Sequence, residues 1–343
     1  MSPAATSDGR RAGIALCVVS ACGFGVMAIF ATQAYDAGVG VTSLLAARFV
    51  LAAGMFWAIV AGQRAWRSRG AGARDAPPGA APPARRVVLA SLALGAVGYS
   101  VQSGLFFSAL RHIDVSLTSL LLYTFPALVC CGSVALGRER LTAFKALALA
   151  LASAGAALVL LGGGAGGLHA AGVLLGLCAG VTYSVYVLVA EGVVARIDAW
   201  LFSALVTTGA AATLLMTGLV SGTLALPSAT GALWVAAIAL LSTVLPISTF
   251  LLGMERVGAP TASIVSTVEP VLTVSLAIVL LGEGLAAGQV AGAALVIGAV
   301  IALASPGAPR SRESAAAVSV ASHGPAPAAA GPAPARTPAQ EPA

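Results

Sequence analysis

The sequence predicts an all-α integral membrane protein with ten transmembrane helices, arranged as two inverted five-helix repeats. Three observations lead there: apolar runs of membrane-spanning length, cations sorted between alternate connections, and a half-length internal repeat. The 343-residue chain is 59% hydrophobic and 9% charged, with a mean hydropathy of +0.97. A soluble domain carries about 25% charged residues. A helix of about 20 apolar residues crosses the hydrocarbon core of a bilayer. Ten such spans are predicted at 12–31, 43–62, 87–110, 116–136, 142–161, 171–191, 199–220, 231–253, 260–281 and 286–305. The runs are continuous rather than alternating, so they choose helices over barrel strands.

The cations give the orientation. Arg10 and Arg11 precede span 1, and Arg64, Arg67, Arg69, Arg74, Arg85 and Arg86 lie between spans 2 and 3. Arg138, Arg140 and Lys145 flank the connection between spans 4 and 5. Arg196 and Arg256 occupy the next two connections of that parity, and Arg310, Arg312 and Arg336 the tail. These are 16 of the 18 Lys and Arg; the opposite connections hold Arg111, and Arg48 falls inside span 2. Positive charge marks the cytoplasmic side, so both termini are placed in the cytoplasm of a cell-membrane protein. The net charge of +6 is thereby accounted for without a nucleic-acid partner.

The two halves repeat. "FFSALRHIDVSLTSLLLYTFP" at 106–126 aligns without a gap on "FLLGMERVGAPTASIVSTVEP" at 250–270. Pro126 matches Pro270, and Glu139 matches Glu283, both at an offset of 144 residues. Five spans per repeat is an odd number, so the second copy enters the membrane from the other side, an arrangement that recurs in secondary transporters. Arg138, Arg140 and Lys145 become Gly282, Gly284 and Gln289 in the second copy, as charge sorting demands of an outward-facing connection. The chain then divides into a cytoplasmic N-terminus at 1–11, a first repeat at 12–161, a Gly-rich link at 162–170, a second repeat at 171–305 and a disordered cytoplasmic tail at 306–343.

The repeat, the elements Pro126…Glu139 and Glu269-Pro270…Glu283, and "ARF" at 47–49 resemble the drug/metabolite transporter superfamily, specifically its ten-span EamA-like family. Phe24-Gly25 stands where members often carry Trp-Gly. The resemblance covers residues 12–305 and implies movement of small metabolites across the cytoplasmic membrane, usually export, without ATP.

Candidate site residues are the polar groups inside the spans. Glu269 lies nine residues into span 9, where a charge costs about 2.5–3.5 kcal/mol on insertion scales. It suits proton coupling or substrate binding; the bland alternative is a protonated glutamate that orients packing. Arg48, about five residues into span 2, suits an anionic substrate or Glu269 as partner, with snorkelling to the outer interface as the alternative. Tyr99 with Gln102, Tyr183 with Tyr186, and Tyr123 near Pro126 are assigned to the substrate- or proton-binding interior. Helical spacing puts each pair on one face, and interior packing is the competing account. Pro126 and Pro270 are expected to kink spans 4 and 9 as gating points. Glu139 and Glu283 are expected to cap the helices that follow them.

Other chemistry finds little support. Cys17, Cys22, Cys130, Cys131 and Cys178 fall in spans and lack metal-site companions. "GGGAGG" at 162–167 follows a membrane helix rather than a strand, so it does not read as a dinucleotide site. His112, His169 and His323 lie outside the spans. No cofactor is implied, and the expected partners are a small-molecule substrate, protons and lipid. The alternative function class, an intramembrane enzyme or sensor, would need a catalytic cluster in the spans or an output domain. Neither is visible.

Overall fold

The computed structural model describes residues 7–70, 83–137, 143–162, 169–194, 196–257, 262, 265–266, 268–284 and 286–304. The described residues are helical and contain no strand. In chain order the helices are α1 (Ser7–Gly25), α2 (Met27–Asp36), α3 (Val41–Gly70), α4 (Arg85–Ala93), α5 (Ser100–Ala109), α6 (Val115–Leu122), α7 (Phe125–Ala135) and α8 (Ala143–Gly162). They continue with α9 (Ala170–Val194), α10 (Ala199–Val220), α11 (Ala229–Ala239), α12 (Leu245–Val257), α13 (Val268–Leu281) and α14 (Ala287–Ala304). Two π-helical turns interrupt the series, Leu94–Tyr99 between α4 and α5 and Leu240–Val244 between α11 and α12.

Seven helical stretches among the described residues are long and apolar enough to cross a membrane: Gly9–Asp36, Val41–Trp66, Arg85–Ala109, Val115–Ala135, Ala170–Val194, Ala199–Val220 and Ala229–Val257. Val268–Leu281 is a shorter apolar helix. The chain is thus an all-α, multi-pass membrane protein. Helix α3 outruns its predicted end at residue 62 and continues to Gly70, carrying Arg64, Arg67 and Arg69 on a polar extension. The core of the predicted Gly-rich link, the predicted tail and Glu139 lie outside the described residues. Cys17, Cys22, Cys131 and Cys178 are free thiols.

Packing follows a swapped pattern. Helix α1 lies against α12, and α5 against α9; α1 also meets α13, and α6 meets α9. The π turn at 94–99 packs on α10, and that at 240–244 on α3. One close crossing uses glycine on both sides. A Cβ at Gly95 would collide with the backbone carbonyl of Val206, and one at Gly209 with that of Leu92. Glycine is needed there because backbone meets backbone.

Five connections gather at one end of the molecule. The Ser43 hydroxyl accepts from the Ala225 amide at 2.9 Å, and the Ser228 hydroxyl donates to the Ala37 carbonyl at 3.4 Å. The imidazoles of His112 and His169 stack 4.8 Å apart. The Arg111 guanidinium lies 5.7 Å over the Tyr35 ring. Glu283 makes a further tie. Gly282, with φ of +71°, ends α13, and the next residue reaches across to α6. Its two carboxylate oxygens accept from the Val115 and Ser116 amides at 2.7 and 2.9 Å. Free amides and the helix dipole favour an anion there, by about 1–2 kcal/mol.

This corrects the expected capping. Glu283 caps a helix of the other half, whereas the helix that follows it, α14, is capped by Gln289, whose Oε1 accepts from the Ala286 amide at 2.9 Å. That is half of a capping box. Asp114 precedes α6 but makes no capping bond of its own. Partial burial, and then the Glu283 charge, push its carboxyl above the usual range. Folded protein therefore holds that proton more tightly than the unfolded chain. The penalty of the ionised form appears as pH rises through the ordinary carboxylate range.

Asp114→Asn should raise the thermal midpoint at pH 7, with a gain that vanishes in acid as Asp114 itself becomes protonated; melting curves across pH test this. Gly95→Ala should reduce the yield of monodisperse detergent-extracted protein severely, because the neighbour is rigid backbone. Gly104→Ala, where nothing lies within 4 Å, should be extracted like the wild type.

Candidate functional site

Arg48 is carried by α3 and is 1% exposed. It does not snorkel. Its Nε donates to the Thr243 hydroxyl at 2.9 Å. That hydroxyl in turn donates to the Ile238 carbonyl, also at 2.9 Å, five residues back, where the π turn leaves room. The guanidinium carbon sits 4.9 Å from the Phe49 ring centroid and 5.2 Å from that of Phe107. The hydroxyls of Tyr99 and Tyr35 are its electrostatic neighbours. Nη1 is buried and has no hydrogen-bond partner. Among the described residues no carboxylate pairs with Arg48.

Tyr99 and Thr243, which both address Arg48, are separated by the repeat offset of 144 residues. Tyr99 is the last residue of one π turn and Thr243 the next to last of the other. A π turn holds an extra residue in the helix and so rotates the residues beyond it, a device frequent at functional sites.

From Tyr99 a row of aromatic rings runs away from Arg48. Tyr99 stacks on Tyr186 with centroids 5.7 Å apart, and Tyr186 on Tyr183 at 6.0 Å. Tyr183 meets Phe125 edge-on at 4.7 Å, and Phe125 lies 6.0 Å from Tyr123. The row ends at Glu269, in the first turn of α13. The Tyr123 hydroxyl hydrogen-bonds to the Glu269 carboxyl, and Tyr183 is within electrostatic reach of it. Glu269 has no cationic partner among the described residues, and Arg48 and Glu269 do not pair with each other. Below the carboxyl, Thr273 Oγ1 donates to the carbonyls of both Glu269 and Gly25, each at 3.0 Å. This ties the turn bearing Glu269 to α1.

The structure therefore brings together Arg48, Tyr99, Tyr186, Tyr183, Tyr123 and Glu269. Gln102 is buried, its Oε1 accepting from the Ser103 hydroxyl at 3.3 Å. Pro126 is not a kink inside a continuous helix. Helix α6 ends at Leu122, Tyr123 and Thr124 form a turn, and Pro126 falls in the first turn of α7. Proline fits there because that turn's amides lack helical partners anyway. Pro270 is buried in the first turn of α13. Sequence reasoning missed Thr243, Tyr35, Phe49, Phe107 and Phe125. The offset that pairs Pro126 with Pro270 would have pointed from Tyr99 to Thr243.

Multiple apolar helices around buried charge define an integral membrane protein with a polar interior, as carriers have. The chain belongs to the EamA-like transporter family, whose family model matches residues 11–161 and again 170–305. One solved crystal structure is similar over 85% of this chain and 96% of its own length, with a TM-score of 0.57 and 22% identity. At that identity it supports the fold alone. No curated protein matches the chain.

Thr243→Val removes the acceptor of the Arg48 Nε and leaves a charged donor buried. The expected loss of stability is about 2 kcal/mol, measured by denaturation in detergent, whereas Thr243→Ser should recover most of it.

Proposed function

We propose that this protein is a secondary active transporter that exports small metabolites across the cytoplasmic membrane by alternating access, with Glu269 carrying a coupled proton. The observation that carries this reading is the Glu269 carboxyl itself. It sits among the spans with no cationic partner among the described residues, bonded to a tyrosine hydroxyl and next to a row of aromatic rings. A carboxyl without a fixed counter-charge is costly to ionise in a dry interior and easy to ionise when water reaches it. Alternating access supplies that change. Each proton moved down a gradient delivers about 1.4 kcal/mol per pH unit. Pro126 and Pro270, each in the first turn of a helix, are placed where the spans would flex between the two states.

The architecture behind this reading is ten spans in two inverted repeats, with both termini in the cytoplasm. Two facts support it. The packing is swapped between halves: α1 with α12 answers α9 with α5, and α1 with α13 answers α9 with α6. The residues that gather at one end, at 37–43, 111–116, 169, 225–228 and 283, belong to the five connections that charge sorting assigns to the outside. Direction of transport rests on the family's usual behaviour.

The test uses inside-out vesicles with a pH-sensitive dye and pooled metabolites. Wild-type protein should release protons from acid-loaded vesicles when its substrate is added. Glu269→Gln should lose that release while retaining substrate–substrate exchange. Proton release undiminished in the variant would remove Glu269 from coupling.

A further inference from the structure

Arg48 is fixed in place with one nitrogen left unpaired. Among the described residues it is the buried cation. Thr243 takes its Nε, Phe49 and Phe107 flank its plane, and Nη1 has no partner. A guanidinium so fixed carries an uncompensated charge in a region of low dielectric, an arrangement that is costly to keep. The protein has a carboxyl that would neutralise it, Glu269, yet among the described residues the two do not pair, and Glu269 is bonded to Tyr123 instead. An internal ion pair would occupy the guanidinium; this arrangement leaves it free.

We infer that Arg48 binds the anionic group of the transported substrate, and that this substrate is a small organic monocarboxylate with an apolar or aromatic body. Its transport rests on the proposed function; its binding does not. Charge balance selects the monoanion, since one guanidinium neutralises one carboxylate and leaves a phosphate dianion in excess. Guanidinium N–H groups donate to carboxylate oxygens in strong, charge-assisted bonds. The hydroxyls of Tyr99 and Tyr35 stand beside the guanidinium as further polar partners. Phe49 and Phe107, with Tyr99 against Phe49, make the immediate surroundings of the guanidinium aromatic, which suits an apolar body.

The experiment is thermal unfolding of the purified full-length protein in detergent with benzoate, phenyl phosphate, benzyl alcohol or benzylammonium. Ligand that binds only folded protein raises the midpoint with concentration. Benzoate should do so, phenyl phosphate should do so less, and the neutral and cationic probes should not. Arg48→Lys, which keeps the charge but loses the planar fork, should weaken benzoate about tenfold. Arg48→Met should abolish its effect. Should Arg48→Met not fold, the lysine variant carries the test. Equal shifts with all four probes, no shift with benzoate, or a benzoate shift unchanged in Arg48→Lys would overturn the inference. Benzoate binding with no flux of any metabolite in vesicles would overturn transport and leave the anion site standing. Flux of neutral or cationic metabolites without benzoate binding would do the reverse.

Discussion

The interior is organised around one requirement: a guanidinium placed beyond the reach of water must be held by the protein. Arginine offers five N–H donors in a rigid plane, and a bilayer core provides no acceptors. Arg48 meets this by drawing two other segments to α3. Thr243 arrives one residue before the end of one π turn and Tyr99 at the end of the other. A regular α-helix advances about 100° per residue, so one added residue turns the side chains beyond it onto a different face. The π turns are the means by which both segments aim a hydroxyl at the same cation. The backbone-to-backbone crossing of Gly95 with Val206 is part of the same geometry, since it brings the first π turn close enough to matter.

The ends of the helices solve a second problem by exchange between halves. Glu283 lies after α13 yet satisfies amides at the start of α6, while α14, nearer in sequence, uses Gln289. A carboxylate can reach across only if the two helix ends lie on the same side of the membrane. The cap therefore bears on topology as well as on local stability. The same logic applies to Ser43 with Ala225 and to His112 with His169, polar contacts that no amount of apolar packing would enforce.

The helical class and multi-pass character were legible in the sequence because a bilayer imposes a length and a hydropathy that few other environments demand. Glu269 stood out for the same reason. What escaped was rotation. Counting residues put Arg48 five positions into a span, a depth compatible with snorkelling, but depth does not say which way a side chain points. Tyr99 closes a π turn that helical counting up to that residue does not foresee, and the turn sets the direction of its ring relative to the residues before it. Pro126 read as a kink because its span was treated as one helix. The chain instead stops at Leu122 and restarts at Phe125. Thr243 was missed because a threonine in an apolar run is ordinary, and only its arithmetic relation to Tyr99 distinguishes it.

That arithmetic extends to the other end of the aromatic row. Phe125 and Glu269 also stand 144 residues apart, and both border Tyr183, one edge-on at 4.7 Å and the other electrostatically. Two pairs of equivalent positions thus each converge on a single residue, Tyr99 with Thr243 on Arg48 and Phe125 with Glu269 on Tyr183. Residues related by an approximate two-fold axis meet where that axis passes, so in the proposed inverted repeats both meeting points lie on the central axis. There the copies have ceased to be alike in chemistry. At the cation one copy brings an aromatic hydroxyl and the other an aliphatic one, and at Tyr183 one brings a phenyl ring and the other a carboxyl. A symmetric pair of carboxyls on the axis would repel, and a symmetric pair of rings would carry no proton. In the proposed mechanism the scaffold would keep the symmetry that lets two halves rock against each other, and the site would work because two residues depart from it.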